Sequence, residues 1–213
     1  MSGAPDGHVQ SSTGGRRRAR LEVRENGSVN VQAADENFPH GFEWRPGETV
    51  EVDCEESQTR ARLFREVLGR YASGVTVVTT THGGEPVGMT AQSFTSVSLD
   101  PPLVAFLPTR KSRAFASIRR SGVFCVNFLA GGQQAISEQM ASHGDEDKFA
   151  GVAWTPSRMT GSPVLDATVG HIDCAVEVIH EAGDHYLVIG KVVDLAVGEA
   201  EEPLLYYRGA YRT

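Results

Sequence analysis

Cysteine is scarce in this chain: Cys54, Cys125 and Cys174 are the only three among 213 residues. An odd number at wide spacing excludes a disulfide framework and a CxxC-type metal centre, so reduced thiols and no metal are expected. Long apolar runs are missing as well. No stretch approaches the about 20 residues that a membrane span needs, and the N-terminus has no hydrophobic segment of the secretory kind, so a cytoplasmic protein is expected. Positive charge is in deficit, with 20 basic against 27 acidic residues and a net charge of −7. That balance repels nucleic acid unless a local patch overrides it. The one candidate patch, Arg16, Arg17, Arg18 and Arg20, lies beside Gly14-Gly15 with no aromatic residue to stack on bases, and reads as a solvated tail. Two catalytic signatures are also lacking. No GxSxG marks a nucleophile elbow, and no GxGxxG follows a strand as a dinucleotide-binding fold requires.

What is present is enough apolar material for one core. Hydrophobic residues make up 40% of the sequence, a normal share for a globular domain with an appendage. Met1 to Arg20, rich in Gly, Ser and Arg, is expected to be disordered. Leu21 to Gln32 reads as a short hairpin about Asn26-Gly27, and Phe38–Trp44 and Thr49–Val52 as irregular strands. Residues 1–56 therefore form an extension, partly disordered, and residues 57–213 the main domain.

The main domain opens with a helix. Leu63, Phe64, Val67, Leu68 and Tyr71 recur at helical spacing after Ser57, a suitable N-cap, which predicts that one helix face packs on the barrel. Val75–Thr81 is β-branched and strand-like, and His82-Gly83-Gly84 turns it into a strand beginning at Pro86. Ser112 caps a helix to about Arg120, Val123–Leu129 is a strand, and Gln133–Ser142 is another helix. Ile172, Cys174, Val176 and Val178 alternate with Asp173, Ala175 and Glu177 before a tight turn at Glu181–Asp184 and a strand over His185–Val197. Many strands with few helices predict a mainly β protein, a small Greek-key barrel with flanking helices.

Two segments carry chemistry. In the stretch from Pro86 to Thr109 a strand displays the small hydroxyl and amide side chains of Thr90, Gln92, Ser93, Thr95, Ser96 and Ser98, with Gly88 leaving room for a close backbone approach, before Asp100-Pro101-Pro102 stops it and Leu103–Leu107 follows as a second, apolar run. The bland alternative is a Ser/Thr-rich strand facing water. Lys111-Ser112-Arg113-Ala114 is the best phosphate site in the sequence: a helix N-terminus supplies unpaired N–H groups, Ser112 a hydroxyl and Arg113 a two-pronged cation. A capped helix start with exposed cations is the plain alternative.

An ordered set of signals ties these together. Phe64 to Thr80 is followed by Pro86-Val87-Gly88-Met89-Thr90, Gln92-Ser93-Phe94, Pro101-Pro102-Leu103-Val104, Lys111-Ser112-Arg113, Phe124-Cys125-Val126-Asn127, Asp147-Lys148-Phe149, Gly183-Asp184-His185 and Tyr206-Tyr207-Arg208-Gly209. Over about Ser57 to Thr213 this resembles the flavin reductase-like family, the NAD(P)H:flavin oxidoreductase components of two-component flavin-dependent monooxygenases. The resemblance implies an FMN-binding split barrel, a homodimer, and hydride transfer from NADH or NADPH to FAD or FMN. Reduced flavin would then pass to a partner monooxygenase.

The resemblance also implies roles for residues. Pro86, Val87, Gly88, Met89, Thr90, Gln92 and Ser93 form the flavin cradle, with Leu107, Pro108 and Thr109 on the neighbouring strand and Ser112, Arg113 and Ala114 at the phosphate. His185, in the Gly-Asp-His turn, contacts the nicotinamide dinucleotide or assists proton supply, while Asp184 shapes the turn. Gln139 and Met140 stand where relatives offer an arginine and an aromatic to the distal flavin. Glu202, Pro203, Leu204 and Leu205 match a dinucleotide-contacting stretch, and a carboxylate at Glu202 favours NADH over a 2′-phosphorylated cofactor. FAD is the expected flavin. The other readings left open are a flavin carrier without turnover and a pyridoxine-phosphate oxidase-like enzyme, the latter lacking an extra Arg/Lys cluster in the barrel region.

Overall fold

The structure is a computed structural model that describes residues 20–23, 29–32, 55–142 and 147–213. The chain divides into two compact units, Met1–Trp44 and Arg45–Thr213. In the first, β1 (Arg20–Val23) pairs antiparallel with β2 (Val29–Gln32), Leu21 opposite Val31 and Val23 opposite Val29. The expected hairpin is thus formed. Its Asn26-Gly27 turn, the tract before Arg20 and the segments at Phe38–Trp44 and Thr49–Val52 lie outside the described residues.

The second unit starts with α1 (Glu55–Leu68), two residues earlier than expected, so that Ser57 lies inside the helix. Then come β3 (Ser73–Gly74), β4 (Thr76–His82), β5 (Glu85–Ala91), β6 (Thr95–Leu99), β7 (Pro102–Phe106), α2 (Arg113–Ser121) and β8 (Val123–Phe128). A 3₁₀ turn at Gly131–Gln133 leads into α3 (Gln134–Ala141), with β9 (Trp154–Pro156), β10 (Pro163–Leu165), β11 (Gly170–Ala182), β12 (His185–Val197), β13 (Leu205–Tyr207) and β14 (Ala210–Arg212) after it. Seven strands form one antiparallel sheet in the order β5-β4-β8-β11-β12-β7-β6. Its two edges, β5 and β6, are consecutive in sequence and joined by Gln92, Ser93 and Phe94 alone. Three residues cannot span a flat seven-stranded sheet, whose strands lie about 4.8 Å apart, so the sheet curls until its edges meet. The result is the mainly β split barrel that the sequence predicts.

That closure corrects one expectation. The polar row of Thr90, Gln92, Ser93, Thr95, Ser96 and Ser98 does not lie on one strand; it crosses from one edge of the sheet to the other. Ser93 stitches the crossing, its hydroxyl accepting from Leu107 N at 2.9 Å and standing 3.3 Å from Leu107 O.

Two cores flank the sheet. Inside the barrel, Val78, Val104, Phe106, Phe124, Val126 and Val188 pack against Phe115 and Ile118 of α2. On the other side, Val75, Val77, Leu129, Leu165 and Leu204 pack with Met140 and Phe149. Asn127 holds the β9-β10 hairpin to the barrel. Fully buried, it donates to Val77 O and Pro163 O, both at 3.2 Å, and accepts from Leu165 N at 2.8 Å, so the cost of burying an amide is offset by its hydrogen bonds.

The α1 stripe departs from expectation. Leu63, Phe64, Val67, Leu68 and Tyr71 are 60, 64, 58, 54 and 78% exposed. Helical periodicity announces an apolar stripe but not what covers it, and among the described residues of the single chain nothing does.

Cys125 and Cys174 are free, fully buried thiols on the paired strands β8 and β11. Burial first, and then the nearby Asp173 carboxylate, push both thiols up, Cys174 to about 12. The thiolate is the reactive form. In a Cys54→Ser background, neither thiol is therefore expected to react with a disulfide reagent at neutral pH, and both should titrate after denaturation; fast native labelling would overturn this.

Candidate functional site

The strongest convergence of groups forms where α2 starts. Ser112 is its N-cap, with φ −68° and ψ 118°, and its hydroxyl accepts from Phe115 N at 3.1 Å. That cap satisfies one amide, while the first N–H groups of any α-helix have no intrahelical carbonyl to donate to. Ser112 also touches β5, its Oγ standing 3.5 Å from Met89 Sδ. Arg113 is exposed at the first helical position.

A second cation lies near enough to Arg113 to feel its charge. Lys148 donates to Met140 O at 2.7 Å, at the end of α3. Burial first, and then the Arg113 guanidinium, pull it below the usual lysine range. Two cations held close enough to disfavour each other, beside a helix N-terminus, suit an anion of more than one charge. Lys148 belongs to the Asp147-Lys148-Phe149 signal of the sequence.

Leu107 to Arg110 connects this corner to the β11-β12 hairpin. Tyr186 N donates to Pro108 O at 2.9 Å, Arg110 N donates to Asp184 O at 3.0 Å, and Thr109 bridges to His185. The hairpin tip turns at Gly183, whose φ of +62° is the left-handed conformation that glycine adopts without strain. Arg110 secures it further, pairing with Glu181 at 2.9 Å and lying 5.5 Å from the Tyr186 ring centroid. Phe115 of α2 packs on the same ring at 5.0 Å. Since Ser112 N donates to Thr109 O at 3.1 Å, backbone bonds tie His185 to the helix start without involving its own side chain. The His185 Nδ1 lies 2.7 Å from Asp184 Oδ1, and that hydrogen bond, outweighing a small desolvation effect, lowers the Asp184 carboxyl below its usual range.

Several expected cradle residues serve the protein itself. Gly88 is buried, and a Cβ there would stand 2.9 Å from Met140 Sδ and 3.3 Å from the Phe149 ring. A side chain there would have to displace Met140 and Phe149, so in this chain the missing side chain serves the core. Thr90 Oγ1 donates to Ser137 O at 2.6 Å, Gln92 Oε1 lies 3.5 Å from Ser73 Oγ, and Ser93 is engaged with Leu107. Pro86, Val87 and Met89 are half-buried, Pro108 and Ala114 buried, Leu107 half-buried and Thr109 exposed.

Other assignments separate from this corner. The Gln139 amide donates to Lys148 O at 3.0 Å and Ala150 O at 2.9 Å, clamping the turn that carries Lys148. Met140 and Leu204 are 0 and 1% exposed in the second core, so within this chain neither offers surface to a ligand. Among the described residues, Glu202 to Leu205 bond elsewhere than the Thr109–His185 corner. Gly131 N donates to Glu202 O at 2.9 Å, Pro203 bridges to Ala130, Leu204 exchanges backbone bonds with Leu129 and Val75, and Leu205 pairs with Gly74.

Among the described residues, no cluster of three or more His, Cys, Asp or Glu side chains is placed to hold a metal, and no helix is long and apolar enough to cross a membrane.

Comparison with known proteins agrees with this geometry. The chain is 51% identical over 150 residues to the reductase subunit HsaB of a flavin-dependent monooxygenase from Rhodococcus jostii, covering 70% of this chain and 76% of that protein. Among solved structures, nitrilotriacetate monooxygenase component B from Mycobacterium thermoresistibile superposes with a TM-score of 0.70 at 48% identity, covering 73% of this chain and 87% of the other. A Streptomyces globisporus NADH:FAD oxidoreductase, in complex with NAD and FAD fragments, gives a TM-score of 0.69 at 36% identity over 73% of this chain and 93% of that one. The flavin reductase like domain matches residues 68–213, and the chain belongs to that family.

Proposed function

We propose that the protein is an NAD(P)H:flavin oxidoreductase that reduces FAD or FMN at the expense of NADH, or less readily NADPH, and supplies reduced flavin to a partner monooxygenase component. The catalytic domain in this reading is residues 57–213, acting as a cytoplasmic homodimer. The observation that carries the proposal is the joining of the Ser112–Arg113 helix start to Thr109 and His185 by direct backbone bonds.

When bound, the flavin and nicotinamide supply the hydride chemistry, and the protein's task is to stack and orient them. Ser112, Arg113 and Lys148 hold the flavin phosphate. Leu107 to Thr109 and the half-buried Pro86, Val87 and Met89 form the adjoining wall, and His185 contacts the nicotinamide from the hairpin tip. Support also comes from relatives whose names specify NADH and FAD, such as the NADH-dependent FAD reductase of Streptomyces globisporus. The carboxylate of Glu202 is exposed and offers nothing to a 2′-phosphate, consistent with a preference for NADH.

The test is aerobic NADH consumption by the purified chain with FAD and with FMN. Flavin-dependent turnover is expected, and flavin binding without turnover would leave a passive carrier. His185→Ala is expected to slow flavin reduction by NADH, or raise its KM, by about ten-fold or more while flavin affinity barely moves. Equal stopped-flow reduction rates in variant and parent would remove His185 from the site.

A further inference from the structure

We propose that Asp184 is a positioning residue that fixes the tautomer of His185, turning Nε2 into a hydrogen-bond acceptor for the carboxamide N–H₂ of a nicotinamide. The inference rests on the reductase reading and deepens it, because it names the group on the substrate that His185 recognises.

Proton inventory decides the tautomer. An ionised carboxylate has no proton to give, so the 2.7 Å contact between Asp184 Oδ1 and His185 Nδ1 requires the ring to carry its proton on Nδ1. The lowered Asp184 carboxyl supports the ionised form. A neutral imidazole with Nδ1–H has a lone pair on Nε2, and the hydrogen bond made by one ring nitrogen decides what the other can do. Among the described residues, the Asp184 carboxylate is the hydrogen-bond partner of Nδ1.

The backbone of the turn is held in place, while the Asp184 side chain itself is 82% exposed. Asp184 O accepts from Arg110 N at 3.0 Å, and the His185 backbone bridges to Thr109. The charged neighbours on the packed elements, Arg110 and Glu181, pair with each other at 2.9 Å, and the Arg110 charge adds to the effect of His185 in favouring the ionised Asp184 carboxyl. The His185 side chain is 36% exposed, so its ring is accessible to a ligand. A nicotinamide carboxamide presents an N–H₂ donor beside its carbonyl oxygen. An acceptor at Nε2 selects the donor side, and an Nε2–H ring would select the carbonyl side instead.

The experiment has two arms on the full chain. In the first, long-range ¹H–¹⁵N spectra of histidine-labelled protein without ligand, at mildly alkaline pH, read the tautomer directly. The parent should show His185 protonated on Nδ1, and Asp184→Ala should shift it toward Nε2–H. Asp184→Asn, which keeps an acceptor oxygen, should retain much of the Nδ1–H form. In the second arm, reduction of bound flavin is compared between NADH and its reduced 3-acetylpyridine analogue, which carries a methyl in place of the N–H₂. The preference of the parent for NADH in kcat/KM should fall by about ten-fold in Asp184→Ala and in His185→Ala, the usual worth of one such bond, with flavin affinity unchanged. An Nε2–H ring in the parent, or an analogue preference that survives Asp184→Ala, overturns the inference. Absence of any NADH oxidation by the parent sinks the reductase reading alone, and the tautomer arm then decides the assignment of Asp184.

Discussion

Replacing Gly88 by valine is expected to destabilise the barrel by about 2–4 kcal/mol, at and above the usual range for forcing bulk into a packed core. The reason is local. A side chain at Gly88 meets Met140 Sδ at 2.9 Å and the Phe149 ring at 3.3 Å, and Met140, fully buried, has no solvent to retreat into. Flavin binding should be lost together with stability rather than before it. Urea unfolding reads the effect as a lowered midpoint at unchanged slope. Adding Met140→Ala to Gly88→Val should recover part of the loss, because it empties the space that the valine needs. Full stability with abolished flavin binding would return Gly88 to the ligand.

The second large effect is expected at the anion site. Arg113→Ala should weaken flavin binding by roughly 1.5–3 kcal/mol, the worth of a charge-assisted contact, with folding little changed because Arg113 is exposed. Arg113→Lys should recover only part of the affinity, since an ammonium cannot grip two phosphate oxygens in a planar fork. The loss should shrink at high salt, where screening weakens the parent's own contact. Flavin fluorescence titration measures all three. An unchanged dissociation constant for Arg113→Ala would remove the phosphate from this corner.

Local signals in the sequence carried the architecture well. The cap at Ser112 and the strand from His185 to Val197 are each set by short-range chemistry and formed as expected, while β11 formed with its alternation broken by a buried Asp173 and two register shifts. What the sequence hid were relationships between distant segments. The row from Thr90 to Ser98 reads as one strand because alternation is blind to a barrel closing between Ala91 and Thr95. Gly88 reads as an opening because a missing side chain looks the same whether a ligand or Met140 fills the gap. The same limit applied to the site. Arg113 was legible from its helix start, but Lys148 gains its meaning only when α3 and the turn after it carry it to Arg113. Gln139 likewise reads as a surface amide until Lys148 O and Ala150 O claim its donors.

The wide spacing of the site's parts along the chain has a consequence for how the protein comes into being. Ser112 and Thr109 gain their bridge to His185 only after the last long hairpin has docked, and that hairpin lies in the middle of the sheet, between β8 and β7. A nascent chain lacking β11 and β12 therefore has two detached half-sheets and no corner for an anion. Closure of non-local strands is the slow part of forming such a barrel, so flavin cannot template the early steps. It can only capture the completed barrel, and the appearance of flavin binding during refolding should trail, never precede, completion of the sheet.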